Sequence, residues 1–117
     1  MPFLFEHLKV YQRAVGFADR VLALAERAPR PFELITSQAV RAAISIAANL
    51  AEGSGRSTAA DQRRFFVMAR GSVHECVPLL ELAHRRGLLG NGEHEAMKSE
   101  VEEIARMLAG LIRRVEG

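Results

Sequence analysis

The stretch Arg41-Ala-Ala-Ile-Ser-Ile-Ala-Ala-Asn-Leu-Ala-Glu-Gly-Ser-Gly-Arg56 decides the fold. Its first twelve residues are small or apolar except at Arg41, Ser45, Asn49 and Glu52. These positions are four, four and three residues apart, so on a helix they form a single polar stripe. Because a helix that is apolar nearly all round is usually buried, the stretch predicts a central helix.

A buried helix that carries charges must pair them, because an unpaired buried charge strongly destabilises a protein. The loop near Arg56 joins this helix to the next one. If the two helices run antiparallel, basic and acidic side chains of the next helix lie opposite the polar stripe. We therefore predict a structural polar network in which Arg41 and Arg70 are mostly buried. Its members are Arg41, Ser45, Asn49, Glu52, Arg70 and Glu75. The alternative is a polar cavity that binds a small ligand, which nothing in the sequence identifies.

Apolar spacing predicts four helices, at about residues 8–28, 33–52, 58–86 and 93–114. Pro29 and Pro31 end the first helix. Gly53 is expected in the left-handed conformation that follows a helix end. Thr58, followed by Asp61, resembles a capping box that begins the third helix.

Pro78 lies within the third helix and predicts a kink there, because proline removes one helical hydrogen bond. Period-two alternation is absent, so no strand is predicted. Four helices joined by short breaks favour an all-α, antiparallel up-down-up-down four-helix bundle. With 117 residues, the chain is expected to form one domain, residues 1–117.

The first helix is apolar over more of its surface than a core-facing helix needs. Two rows with four-three spacing run along it: Leu8, Tyr11, Val15, Ala18, Leu22 and Ala25, and then Val10, Ala14, Phe17, Val21 and Leu24. Together they cover nearly half the circumference, whereas a core-facing stripe needs only about 100°. The surplus favours packing against another subunit; the alternative is a deeply embedded helix in a monomer.

Composition restricts the function classes without choosing among them. The net charge is only +2, so a case for nucleic-acid binding depends on where the charges lie. One cysteine excludes an internal disulfide and fits a reducing compartment. Charges occur too early for a signal peptide, and no apolar run of about 20 residues is evident. We therefore expect a cytoplasmic protein without a membrane partner.

Four stretches resemble one protein family, and the last of them, Leu108-Ala-Gly-Leu-Ile-Arg113, is similar to the family's closing segment. The run Gln38-Ala-Val-Arg-Ala-Ala-Ile-Ser-Ile-Ala-Ala-Asn-Leu-Ala-Glu-Gly-Ser-Gly-Arg56 resembles the signature of the 23S rRNA intervening sequence family of four-helix-bundle proteins. Leu8-Lys-Val-Tyr-Gln-Arg-Ala14 is similar to the family's opening helix, and Phe65-Phe-Val-Met-Ala-Arg-Gly-Ser-Val-His-Glu75 to its third-helix motif. Ala47 stands where the family usually has proline, and Pro78 where it usually has a polar helix former.

The resemblance implies a bundle that assembles into a ring-like homo-oligomer, commonly a pentamer. It implies little about activity. A related group comprises the accessory proteins of diversity-generating retroelements, which look like basic barrels that bind nucleic acid and a reverse transcriptase. RNA or DNA, and a reverse transcriptase or another protein, are therefore the partners that the resemblance implies.

In an up-down-up-down bundle, the first and third helices begin at the end where the second and fourth finish. We call this end the basic pole, because it collects Lys9, Arg13, Arg56, Arg63, Arg64, Arg113 and Arg114, offset there by Glu6, Glu52, Asp61 and Glu116. The alternative is that these are ordinary solvated surface arginines. A ring-like oligomer would repeat the pole and strengthen its field.

Residues for catalysis are not evident. The four histidines form no pair at metal-ligand spacing, and Cys76 falls on an apolar row that is typical of a core position. We therefore expect no enzyme activity, no metal and no cofactor. The sequence favours a non-enzymatic, homo-oligomeric, nucleic-acid-binding accessory factor; the alternative is a protein-protein interaction scaffold that binds no nucleic acid.

Overall fold

The computed structural model describes residues 3–117, which form four α-helices. These are α1 (Lys9–Arg27), α2 (Glu33–Ser54), α3 (Ala59–Arg85) and α4 (Asn91–Glu116). Short 3-10 turns at Leu4–His7 and Arg30–Phe32 precede α1 and α2. Within this described part no strand is present, so the all-α prediction is confirmed.

The helices pack in chain order around one core. Helix α1 packs on α2 and α4, and α3 packs on the other sides of α2 and α4. Short connections join consecutive helices, so neighbours run antiparallel and the up-down-up-down prediction is confirmed. The bundle measures 43 × 27 × 20 Å.

One face of each helix supplies the core. The second apolar row of α1 is buried along its length, and Phe17 within it is fully enclosed. Helix α2 contributes mainly small residues and two larger ones, Ile46 and Leu50. Helices α3 and α4 each contribute one buried row, which includes Phe66 on α3 and Leu108 on α4. Burial of these rows provides most of the driving force for folding.

The first apolar row of α1 is only partly covered. Val15 and Leu22 remain 43% and 39% exposed, although Ala18 between them is buried. On the adjoining face of α2, Ile44 is 45% exposed. The surplus apolar surface predicted from the sequence therefore lies outside the core of a single chain.

Gly53 does not follow α2, as the sequence predicted, but lies inside it and is buried. Its φ is not positive; among the described residues, only Gly87 after α3 has that conformation. A Cβ at Gly53 would lie 2.7 Å from Cε1 of Phe66 and 3.0 Å from Cβ of Phe65. Glycine is therefore required here by the close approach of α3.

The start of α3 follows the prediction. The Thr58 hydroxyl accepts a hydrogen bond from the Asp61 N–H at 3.1 Å, which satisfies one of the free donors at the helix start. The Asp61 carboxylate pairs with Arg64 instead of closing a full capping box. Helix α3 then continues across Pro78, which lies on its exposed side, to Arg85.

The prediction that Arg41 is buried is wrong for the single chain. Arg41 is exposed, as are Glu52 and Glu75, and Arg70 is half-buried. The reason is the position of the stripe along the outer margin of the contact between α2 and α3. Short side chains at this margin reach α3, whereas long charged side chains extend into solvent.

The segment Arg30–Ser54 is long and apolar enough to cross a membrane, judged by length and composition alone. This corrects the expectation that no such run is present, because alanines raise the mean hydropathy across its scattered polar positions. In this structure, Ile46 and Leu50 of the segment are buried among the other helices, whereas Leu34 and Ile44 are exposed. A core helix of a bundle passes the same test.

Replacing Gly53 with alanine tests the close approach of α2 and α3. Overpacking costs about 1–3 kcal/mol, whereas alanine gains about 1 kcal/mol of helix propensity. Because Phe66 is buried and cannot move aside, we expect Gly53→Ala to lower the Tm. Gly71→Ala is the matched control, since a Cβ there meets nothing within 4 Å, and it should raise the Tm. Equal effects of the two substitutions would contradict this explanation.

Replacing Arg41 with alanine tests the corrected position of the polar stripe. An exposed side chain without an ion pair should change the free energy of unfolding by less than about 0.5 kcal/mol. Phe17→Ala, in the core, should cost about 3–5 kcal/mol in the same denaturant titration. A loss of several kcal/mol for Arg41→Ala would show that this side chain is buried after all.

Candidate nucleic-acid interface

The topology brings the seven residues of the basic pole to one end of the bundle. Helices α1 and α3 begin there, and α2 and α4 end there. The charges do not all remain available, however. Four of the seven are paired with acidic residues of the same chain: Arg13 with Glu103 (2.5 Å), Arg56 with Glu52 (3.3 Å) and Asp61 (3.6 Å), Arg64 with Asp61 (2.9 Å), and Arg63 with Glu116.

Three cations of the basic pole form no ion pair within the described residues. Within residues 3–117, Lys9, Arg113 and Arg114 have no acidic group within ion-pair distance. Lys9 and Arg114 line a cleft of about 270 Å³ between the beginning of α1 and the end of α4, and His7 lines it as well. We call these three residues, together with Arg113, which precedes Arg114 in the chain and lies outside the cleft lining, the basic corner. No sequence pattern indicates His7, because its place in the cleft depends on how α4 ends.

Two paired arginines are held against an aromatic ring. The guanidinium carbons of Arg56 and Arg64 lie 4.5 and 4.4 Å from the centre of the Phe65 ring. Such cation–π contacts add to their ion pairs. The Nε of Arg56 is buried without a hydrogen bond in the described structure. These two guanidiniums are therefore fixed on the surface by their own chain.

The polar network is smaller than predicted and includes one residue that the prediction lacked. The Asn49 Nδ2 donates to the carbonyl and hydroxyl oxygens of Ser45, both at 2.9 Å. The Ser45 hydroxyl lies 2.9 Å from that of Ser72 on α3. Ser72 falls on the buried face of α3. Its spacing from the apolar residues of that face could have predicted its place in the network. The network therefore links α2 to α3 through short side chains.

An apolar surface lies between α1 and α2 on the outside of the bundle. It surrounds a shallow cleft of about 300 Å³. We call it the α1–α2 surface; apart from Asp19, which also lines the cleft, its members are Phe5, Tyr11, Val15, Ala18, Leu22, Ile44, Ala47, Ala48 and Ala51. The α1 row follows from apolar spacing in the sequence, but Phe5 does not, because it reaches the surface through the turn that precedes α1.

The side chains suited to chemistry have ordinary structural positions. His84 and His94 come together with ring centres 4.5 Å apart and planes at 12°, a pair that sequence spacing did not indicate. Parallel stacking directs their nitrogen lone pairs along separate planes rather than towards a common metal ion. Burial, aided by the Glu75 charge, raises the pKa of the Cys76 thiol to about 12, so it stays protonated at neutral pH.

Comparison with known proteins agrees with this fold. A crystal structure of a protein of unknown function from the S23 ribosomal protein family, from Bacteroides thetaiotaomicron, superposes with a TM-score of 0.81 at 23% sequence identity. The match covers 88% of this chain and 97% of that one, and at this identity it shows the fold alone. No curated protein sequence matches the chain. The family model for the 23S rRNA-intervening sequence protein matches residues 6–110, so the chain belongs to that family.

Proposed function

We propose that the protein is a non-enzymatic, cytoplasmic homo-oligomer that binds nucleic acid as an accessory factor. In this proposal, the α1–α2 surface joins the subunits and the basic corner contacts phosphates. The observation that carries the nucleic-acid part is that Lys9 and Arg114, two unpaired cations of the basic corner, line the same cleft. A reverse transcriptase remains the protein partner that the family resemblance implies.

Self-association rests on the amount of apolar surface outside the core. Val15, Leu22 and Ile44 are each about two-fifths exposed and border one continuous cleft. A contiguous exposed apolar surface is unusual on a monomeric protein and marks an interaction site. Alanines at its centre let another helix approach closely. Cyclic assembly through this surface would give the ring that the resemblance implies, with a pentamer as the expected form.

The basic corner is suited to phosphate rather than to base edges. Lysine and arginine at helix ends reach backbone phosphates, which carry no direct sequence information. A few cations on one subunit bind weakly, but a closed oligomer repeats the corner and multiplies the field. We therefore expect binding with little sequence preference and with strong dependence on salt concentration.

The protein-only scaffold remains the second candidate function. It is favoured by the ion pairs that engage Arg13, Arg56, Arg63 and Arg64 within the chain. A surface whose arginines are already paired attracts phosphate less strongly. The two functions share the oligomer and differ only in whether the basic corner binds a polyanion.

Substitution of Ile44 tests whether the α1–α2 surface joins subunits. Ile44→Glu would place a carboxylate in an apolar interface, so we expect dissociation to smaller species in size-exclusion chromatography. Leu82→Glu on α3 is a matched control, because Leu82 is 46% exposed and Ile44 is 45% exposed. Helical content should stay unchanged in both. If Leu82→Glu dissociates the protein and Ile44→Glu does not, the proposed interface is wrong.

Charge reversal tests the basic corner. We expect the triple variant Lys9→Glu, Arg113→Glu and Arg114→Glu to lose nucleic-acid binding while keeping its oligomeric state. Removing any one of these contacts should reduce the slope of log affinity against log salt by about 1. Fluorescence anisotropy with a labelled oligonucleotide measures both.

A second triple variant serves as the control for charge. It carries Arg30→Glu, Arg86→Glu and Lys98→Glu. Like the first variant, it replaces two arginines and one lysine, but at exposed positions away from the basic pole. We expect this variant to keep most of its binding. Equal losses in the two variants would mean that net charge alone attracts the polyanion, and no binding by the wild-type protein would favour the scaffold.

A further inference from the structure

Three aromatic side chains form a stack that leads out of the bundle beside the start of α1. The Tyr11 ring meets Phe5 edge-on, with centres 5.0 Å apart and planes at 76°. Phe5 then stacks on Phe3 at 5.5 Å with planes at 23°. The stack ends at Phe3, which is 67% exposed. An aromatic ring held on one face and exposed to solvent is a platform on which another flat ring can stack.

Hydrogen bonds hold the platform in place. The Phe3 N–H donates to the Glu6 Oε1 at 2.7 Å, and the Gln12 Nε2 donates to the Glu6 carbonyl oxygen at 3.0 Å. The turn that carries the ring is therefore tied to the first turns of α1. Pre-organisation of this kind reduces the entropy lost when a ligand binds.

The platform adjoins the basic corner. Phe3, Leu4 and Phe5 line a cleft of about 590 Å³ that reaches Gly55 beyond the end of α2. Leu8 lines both this cleft and the one that holds Lys9 and Arg114. An exposed aromatic ring and unpaired cations thus lie on either side of one residue. Single-stranded nucleic acid offers the matching chemistry, with flat bases beside phosphates.

We propose that the protein binds single-stranded nucleic acid by stacking an unpaired base on Phe3 while the neighbouring phosphates contact the basic corner. This inference rests on the proposed nucleic-acid function and adds the class of strand that the site selects. A duplex is a poorer ligand, because its bases are already stacked and paired. Base stacking on one aromatic side chain changes affinity by about 5- to 150-fold.

A second copy of this chain is the competing occupant of Phe3. The cleft beneath Phe3 and the α1–α2 surface share Phe5 and Ala51, so a subunit interface could extend to this ring. An interface needs only apolar area, whereas stacking needs an aromatic ring. Substitutions that keep apolarity and remove the ring therefore separate the two occupants.

Phe3→Trp provides a direct signal, because the chain contains no tryptophan. We expect an intact single-stranded oligonucleotide to quench the fluorescence of this indole. An abasic strand of the same length carries the same phosphates and should leave the fluorescence unchanged. Quenching by both strands, or by neither while anisotropy reports binding, would overturn the stacking inference.

Affinities of four variants complete the test. Phe3→Tyr should bind the intact single strand as wild type does, whereas Phe3→Leu and Phe3→Ala should lose about 5- to 150-fold. None of them should alter binding of the abasic strand. Leu34→Ala, at a position 70% exposed near the start of α2, is the matched control and should bind normally.

The outcomes separate this inference from the proposed function. If the wild-type protein binds intact and abasic strands with equal affinity, the proposed phosphate contacts stand and the stacking inference is wrong. Wild-type protein that binds neither strand would overturn both proposals. If Phe3→Ala lowers the sedimenting mass and Phe3→Leu keeps the wild-type mass, the ring belongs to a subunit interface and the inference is wrong.

Discussion

The close approach of α2 to α3 is the constraint on which the rest of the bundle depends. At Gly53 the two helices are near enough that a single methyl group would overlap Phe66. Farther along the same face, Ala39 and Ala43 are buried, and small residues of this kind let helix axes draw together. Shape, rather than charge, therefore positions α2 against its neighbour.

This arrangement explains why apolar surface remains outside the core. Helix α2 is rich in alanine on several faces, but its contact with α3 and the core uses only one side. Ala48 and Ile44 point away from the core and meet the surplus row of α1. The central helix, α2, therefore also presents an exposed apolar face. We propose that other copies of the chain cover it, which would orient the basic corners around a common axis.

Periodicity in the sequence was enough to predict the helices, the cap at Thr58, the topology and the surplus row of α1. It failed where the answer depended on distances between helices. A glycine near a helix end fits both a left-handed cap and a close helix contact, and only the position of Phe66 decides for Gly53. Likewise, spacing places Arg41 beside α3 but cannot tell whether so long a side chain turns inward or into solvent.

The candidate site was harder to predict than the fold, because two of its arginines are paired with residues far away in sequence. Arg13 is neutralised by Glu103 and Arg63 by Glu116, both on α4. Counting both signs of charge at one end therefore could not show which cations stay unpaired. The aromatic stack was missed for a related reason, since Phe3 and Phe5 reach Tyr11 only through the turn before α1.

If other copies of the chain cover the α1–α2 surface, as we propose, the wild-type protein has a mass well above that of one chain. Sedimentation equilibrium at micromolar concentration should give a single species several times the 12.9 kDa chain mass. A stable species at the mass of one chain would contradict the account.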